Sequence, residues 1–162
     1  MRVLALDPGF DRLGIAVLER DSGGMETILH SDCFETRRED DFSIRLKTIG
    51  VEVRRLLQTF NPDIVALELL FFSANKKTAM RVAEVRGAIL LCAAEHDVPV
   101  REYGPGEIKI AITGYGKSDK GQVAAMVQTL LHMNTSRAVR DDEYDAIAVG
   151  LTCLARERQG YQ

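Results

Sequence analysis

Four carboxylates stand where an apolar chain would not ordinarily place them. Asp7 and Glu68 close two apolar runs, and Asp142 and Asp145 open a third that has helical spacing. Hard divalent ions take oxygen ligands, and Mg²⁺ in particular uses a few carboxylates while keeping water and phosphate oxygens in its shell. Two such ions about 4 Å apart can activate a water and stabilise the leaving oxygen of an in-line phosphoryl displacement. Four acids delivered by three elements suit that chemistry. No Cys/His ligand pattern competes with it: Cys33, Cys92 and Cys153 are scattered, as are His30, His96 and His132.

The elements that must carry these acids can be read from local pattern. Arg2 to Leu6 is aliphatic and stops at Asp7-Pro8-Gly9, which places Asp7 at a strand end. Ile64 to Leu67 follows a helix stop at Asn61-Pro62 and delivers Glu68 just before Leu69-Leu70-Phe71-Phe72. A glutamate in so apolar a stretch is costly to bury unless a cation or hydrogen bonds satisfy it. Asp142 and Asp145 are spaced i,i+3 and share a helix face, although Asp141, at i,i+4 from Asp145, fits that face equally well. Taken alone, Asp141, Asp142 and Glu143 have a plainer reading as first-turn acids that complement the helix dipole.

Between these points, Leu13 to Arg20 and Glu26 to Thr36 read as strands joined by an Asp21-Ser-Gly-Gly24 hairpin loop. Ile49, Val53, Leu56, Leu57 and Phe60 repeat at helical spacing over residues 43–60. Residues 76–95 form a helix apolar most of the way round, which implies burial on two sides, by the same domain or by a partner subunit. Val98 to Tyr103 reads as a last strand. Ser118 is a candidate cap for a helix carrying Val123, Met126, Val127, Leu130 and Leu131. Asn134 to Arg140 is loop-like, and Ala146, Ile147, Val149, Leu151 and Leu154 pack the final helix. Strands followed by alternating helices and strands imply an α/β fold with a mixed five-stranded sheet flanked by helices.

Read together, these segments resemble the RuvC family of Holliday-junction resolvases, a branch of the RNase H-like nucleases. The likeness runs through Asp7-Pro8-Gly9 with Gly14, Pro62-Asp63 to Glu68, Phe71-Phe72 with Asn75, and Ala83-Glu-Val-Arg86-Gly87. It continues through Glu102-Tyr103, Ile108-Lys109, Gly114 to Lys120, and Asp142-Glu-Tyr-Asp145-Ala-Ile-Ala-Val. An Asp-Pro-Gly or an Asp-x-x-Asp alone would be weak; in this order and spacing they are specific. The resemblance implies an RNase H-like nuclease domain over residues 1–158 with a polar tail at 159–162. It implies that Asp7, Glu68, Asp142 and Asp145 are catalytic acids holding two Mg²⁺ ions, for which Mn²⁺ can substitute. Asp7 would bridge the ions, and the cut would leave a 5′-phosphate.

By the same resemblance, Phe71 is an aromatic that wedges into the junction, against a plainer reading as core packing beside Leu69, Leu70 and Phe72. Lys109, Lys117 and Lys120 match basic positions near the acids, with Lys120 the best placed for charge stabilisation; a lysine in a glycine-rich loop is otherwise simply solvated. Phe72, Asn75, Lys76, Lys77 and Arg81 would hold the opened junction, although the basic cluster is also compatible with a solvated helix start. Phe10 and Leu69 depart from the family, which more often has polar residues there. A homodimer acting on four-way junction DNA is implied, with a branch-migration helicase as a further partner.

Composition bounds this reading. With 162 residues, 46% hydrophobic and 28% charged, the chain has the size of one domain with a real core. It has no membrane-length apolar run, no apparent leader and unpatterned cysteines, so a soluble, cytoplasmic protein is expected. A net charge of −3 is unfavourable for a DNA binder, but four negative charges belong to the candidate ligands. Three rivals remain: an RNase H-like nuclease acting on RNA or other branched nucleic acid, an actin-like ATPase, and a non-catalytic junction-binding protein. The ATPase needs phosphate and adenosine loops for which the chain has little room, and intact carboxylates argue against the last.

Overall fold

The computed structural model describes residues 1–69, 76–133 and 139–159. The strands are β1 (Arg2–Asp7), β2 (Arg12–Arg20), β3 (Glu26–Glu35), β4 (Ile64–Glu68) and β5 (Val100–Tyr103). Between and after them run α1 (Phe42–Phe60), α2 (Lys76–Glu95), α3 (Pro105–Thr113), α4 (Lys120–Leu130) and α5 (Asp141–Gln159). The strands form one sheet in the order β3-β2-β1-β4-β5. The hairpin pairs β1-β2 and β2-β3 are antiparallel, whereas β1-β4 and β4-β5 are parallel. The sheet is therefore the mixed five-stranded one expected.

The central strand β1 is covered on both faces, which is why it reads as a continuous apolar run rather than an alternating one. Leu4, Leu6, Leu13, Ile15, Val65 and Leu67 meet α1 and α2 on one face. Val3, Ala5, Ala16, Ala66 and Tyr103 meet α3, α4 and α5 on the other. The second face is built from small side chains along its middle, so α5 can lie close to the central strands. Gly14 shows how close: a Cβ there would sit 2.0 Å from the Asp142 carbonyl oxygen and 3.1 Å from the Asp7 Cβ. A methyl group has no room at that point.

Three local features depart from expectation. Residues 105–113 form α3, which the pattern had not suggested. Pro105 occupies the first helical turn, Glu107 accepts a hydrogen bond from the Gly104 N–H at 2.9 Å, and Gly114 closes the helix in the left-handed region at φ 76°. The cap of α4 is Asp119, which accepts from the Gln122 N–H at 2.8 Å, and not Ser118. Ser118 is instead buried, with its hydroxyl 2.7 Å from that of Thr113. The last strand is shorter than expected, starting at Val100; the backbone N–H of Val98 donates to Ala93 and so belongs to the turn that ends α2.

At the C-terminus α5 continues to Gln159, and Glu157 receives a hydrogen bond from Arg101 at 3.2 Å. The remainder of the 159–162 tail lies outside the described residues. Helix α2 buries Val85, Ile89, Cys92 and Ala93 against the sheet, while Met80 and Leu91 are 66% and 57% exposed. Its second apolar side finds no cover among the described residues. No helix among the described residues is long and apolar enough to cross a membrane.

Gly14→Ala is expected to destabilise the protein by about 1–3 kcal/mol, as overpacking does in a close-packed contact. An unchanged thermal midpoint would show that α5 does not press on β2 at this point.

Candidate active site

Side-chain alternation decides where the strand acids point. Asp7 has the parity of Val3 and Ala5, and Glu68 that of Ile64 and Ala66, so both leave the sheet on the α5 face. Leu6 pairs with Leu67 across the parallel β1-β4 ladder, which makes Asp7 and Glu68 the next neighbours along it, at the carboxyl ends of adjacent strands. Tyr103 of β5 pairs with Glu68 and continues the row.

Helix α5 brings the other two acids. Asp145 faces Asp7 and Glu68 across a cavity of about 350 Å³ that Lys109 and Lys120 also line, over an apolar floor that includes Ile108 and Val123. The Lys120 ammonium donates to Asp145 Oδ2 at 2.8 Å. Asp142, one turn earlier, accepts from Arg12 Nη1 at 3.3 Å and has the Cys33 thiol 3.8 Å away. Asp141 is exposed, whereas Asp142 is half-buried and its backbone carbonyl lies against Gly14, the β2 partner of Asp7.

The electrostatics are those of like charges held together. Burial, and then the negative charges of Glu68, Asp145 and Asp142, push the Asp7 carboxyl up to about 7, against a smaller opposing pull from Lys120. Burial and Asp145 raise Glu68 as well, while Lys120 and Lys109 oppose the rise. The hydrogen bond to Asp145 holds the Lys120 ammonium above its ordinary value, and burial works against it. The site is thus short of positive charge and rich in hard oxygen donors, and such a donor set fits Mg²⁺ or Mn²⁺. Among the described residues no three acids meet closely enough to hold an ion as they stand, since Asp145 is turned onto Lys120 and Asp142 toward Arg12.

The other expected site residues fall in different places. Lys117 is exposed in the α3-α4 loop and does not line the cavity. Arg81 lies over the Phe42 ring, 3.8 Å from its centroid, in a groove lined also by Phe10 and Arg45. Phe10, which departs from the family pattern, stacks edge-on against Phe42 under Arg45, so its aromatic character serves packing. Lys76 and Lys77 begin α2. Phe71, Phe72 and Asn75 lie outside the described residues. Sequence reasoning missed Arg12 as the partner of Asp142: the two are 130 positions apart, and no local signal joins them.

An RNase H-like α/β sheet with acids at the ends of its two central parallel strands, answered by acids from a helix lying across them, defines a phosphodiester-cutting nuclease. A family profile described as "Crossover junction endodeoxyribonuclease RuvC" matches residues 3–153. A protein of that name from Thermosipho melanesiensis is 43% identical over 97% of this chain and 98% of its own. Its counterpart from Petrotoga mobilis is 38% identical over 100% and 98%. The Thermus thermophilus RuvC structure in complex with Holliday junction substrate aligns at 32% identity with a TM-score of 0.91, covering 99% of this chain and 96% of that one. The chain belongs to the RuvC family of crossover junction endodeoxyribonucleases.

A pH dependence follows from Asp7. The folded protein keeps the Asp7 proton up to about 7, whereas the unfolded chain releases it near 3.8, so this residue's contribution to stability falls as pH rises between those values. In metal-free protein, Asp7→Asn should therefore raise the thermal midpoint at pH 8 and raise it less, or not at all, at pH 5. Equal effects at both values would contradict the shifted carboxyl.

Proposed function

We propose that this chain resolves four-way (Holliday) junctions in homologous recombination and DNA repair, by paired, metal-dependent hydrolysis of two opposed strands. The observation that carries this reading is the convergence of Asp7, Glu68 and Asp145 with Lys109 and Lys120 on one open cavity. That cavity sits in a scaffold whose Thermus thermophilus relative is solved with junction DNA. Asp7, Glu68, Asp142 and Asp145 are the residues that would hold metal. Bound Mg²⁺, with two ions per site and Mn²⁺ as a substitute, would supply an activated water and neutralise the leaving 3′ oxygen, giving 5′-phosphate ends.

The chain's own groups do the remaining work. Asp7 and Glu68 are held rigidly at strand ends, so the acids need little reorganisation when substrate arrives. Lys120, released from Asp145, has an ammonium free to meet the charge that develops on the phosphate. Lys109, on α3, adds a second cation at the same wall of the cavity. Lys117 and Arg81 do not line that cavity and suit backbone contact along the junction arms, with Phe71, Phe72, Asn75, Lys76 and Lys77 completing that set by family resemblance. A branch-migration helicase would present the junction; that also rests on the resemblance.

Paired cutting needs two sites related by symmetry, and the uncovered side of α2 fits a second copy of this chain. Met80, Gly87 and Leu91 repeat along its exposed surface at helical spacing, the small residue allowing close approach of a two-fold mate. Leu91→Glu is expected to convert a dimer to monomers in sedimentation, with circular dichroism unchanged.

The deciding assay uses a labelled immobile four-way junction, matched duplex and an RNA–DNA hybrid, each with and without Mg²⁺ or Mn²⁺. Metal-dependent, ligatable nicks confined to the junction are expected. Asp7→Asn and Glu68→Gln should lose about 10³-fold or more in rate and Lys120→Ala about 10²-fold, with junction binding kept. Preferential cutting of the hybrid would move the protein to another branch of the fold, and undiminished cutting by Asp7→Asn would refute the site.

A further inference from the structure

Asp7 and Glu68, with Pro105, line two recesses. One is the cavity that holds Lys109 and Lys120; the other, of about 230 Å³, adds Pro8, Leu69, Val82 and Arg86. Arg86 is the cation of this recess among the described residues. It comes from α2, its side chain is 20% exposed, and its Nη2 pairs with Glu102 on β5. Its Nε is buried and has no hydrogen-bond partner among the described residues.

A guanidinium offers five N–H donors in a planar fork. The pair with Glu102 fixes its plane, yet leaves the buried Nε donor unmet, which is costly unless the side chain shifts to meet an acceptor. A polynucleotide strand whose scissile phosphate rests on the acids has neighbouring phosphates on either side of it, and the two recesses offer each a place. Lys109 and Lys120 can receive one side. The other side holds a fixed guanidinium, which suits the two free oxygens of a phosphodiester better than a flexible ammonium does.

Resting on the site reading above, we propose that Arg86 binds the phosphate adjacent to the scissile one, on the side away from Lys109 and Lys120, and that Glu102 orients it. The competing account is an ion pair that merely ties α2 to the edge strand. Two measurements separate them. Junction binding without divalent ion, titrated over salt concentration, should lose about one unit of log–log slope per bound subunit in Arg86→Gln and regain it in Arg86→Lys. Junctions carrying a single methylphosphonate next to the cut position should be cut about 10-fold more slowly by the parent at one flanking position, and Arg86→Gln should be indifferent to that replacement.

An unchanged slope together with unchanged methylphosphonate sensitivity overturns the proposal. Should Arg86→Gln fail to fold, the parent's methylphosphonate scan decides: sensitivity at no flanking phosphate overturns it, and sensitivity at one that Arg86→Lys shifts or weakens upholds it. Normal cutting by Asp7→Asn would instead sink the placement of the scissile phosphate while leaving the salt slope readable, so the two failures are distinguishable.

Discussion

Everything in this molecule turns on how near α5 comes to the sheet. The acids at the ends of β1 and β4 are fixed by strand geometry alone, but two carboxylates on one sheet edge make an incomplete site. Completion requires a helix whose first turn reaches them. Ala5, Ala16 and Ala66 leave the α5 face shallow along the middle of the sheet, and Gly14 lets the Asp142 carbonyl oxygen touch the backbone next to Asp7. The opposite face, filled by Leu4, Leu6, Ile15 and Leu67, holds α1 and α2 on bulkier side chains. The two faces of one sheet thus do different jobs: one supplies apolar burial, the other supplies proximity.

That proximity has an electrostatic cost, because burial and like charges together raise Asp7 and Glu68. Lys120 offsets part of it at both acids, and Lys109 at Glu68. Lys120 is exposed and bonded to Asp145, and Arg12 reaches Asp142 from the start of β2 at the long end of hydrogen-bond distance. Neither pair is buried, and exposed ion pairs of this kind are worth little. Under the proposed metal-binding role weak pairs would serve, since a tight one would have to be broken each time the acids turned toward an ion. Two of the acids stand at strand ends and two on a helix terminus.

Much of this was legible in residues alone, and the limits are physical. Asp7 at a strand end, Glu68 at another and the i,i+3 pair on a helix follow from local pattern, because alternation and helical pitch are local properties. The sheet, with its antiparallel hairpins and parallel crossovers, follows from element order. Helix α3 was not legible for a specific reason: Ile108, Ile110 and Ile112 alternate and are β-branched, which argues for a strand. In the structure Ile108 and Ile112 are buried one turn apart and Ile110 is 55% exposed, so the end signals, Pro105 and Gly114, outweighed the propensity of the middle. Ser118 and Asp119 could both cap, and only packing against Thr113 took the serine away. Arg12 with Asp142 and Arg86 with Glu102 are tertiary pairings that no spacing announces.

The arrangement of charge also resolves the oddity of a net-negative chain that handles DNA. Affinity for a phosphate backbone depends on where cations stand along the strand's path, not on their sum. Here the acids line both the recess that holds Lys109 and Lys120 and the recess that holds Arg86. On the proposed path a strand would meet cations before and after the acids, and carboxylates only where the bond is to be cut. Negative charge concentrated at the centre repels an unligated phosphate there, so close approach of the scissile group is coupled to the presence of a cation between it and the acids. On the proposed metal-dependent mechanism, the same carboxylates that weaken binding overall would make engagement of the reactive phosphate conditional on bound metal.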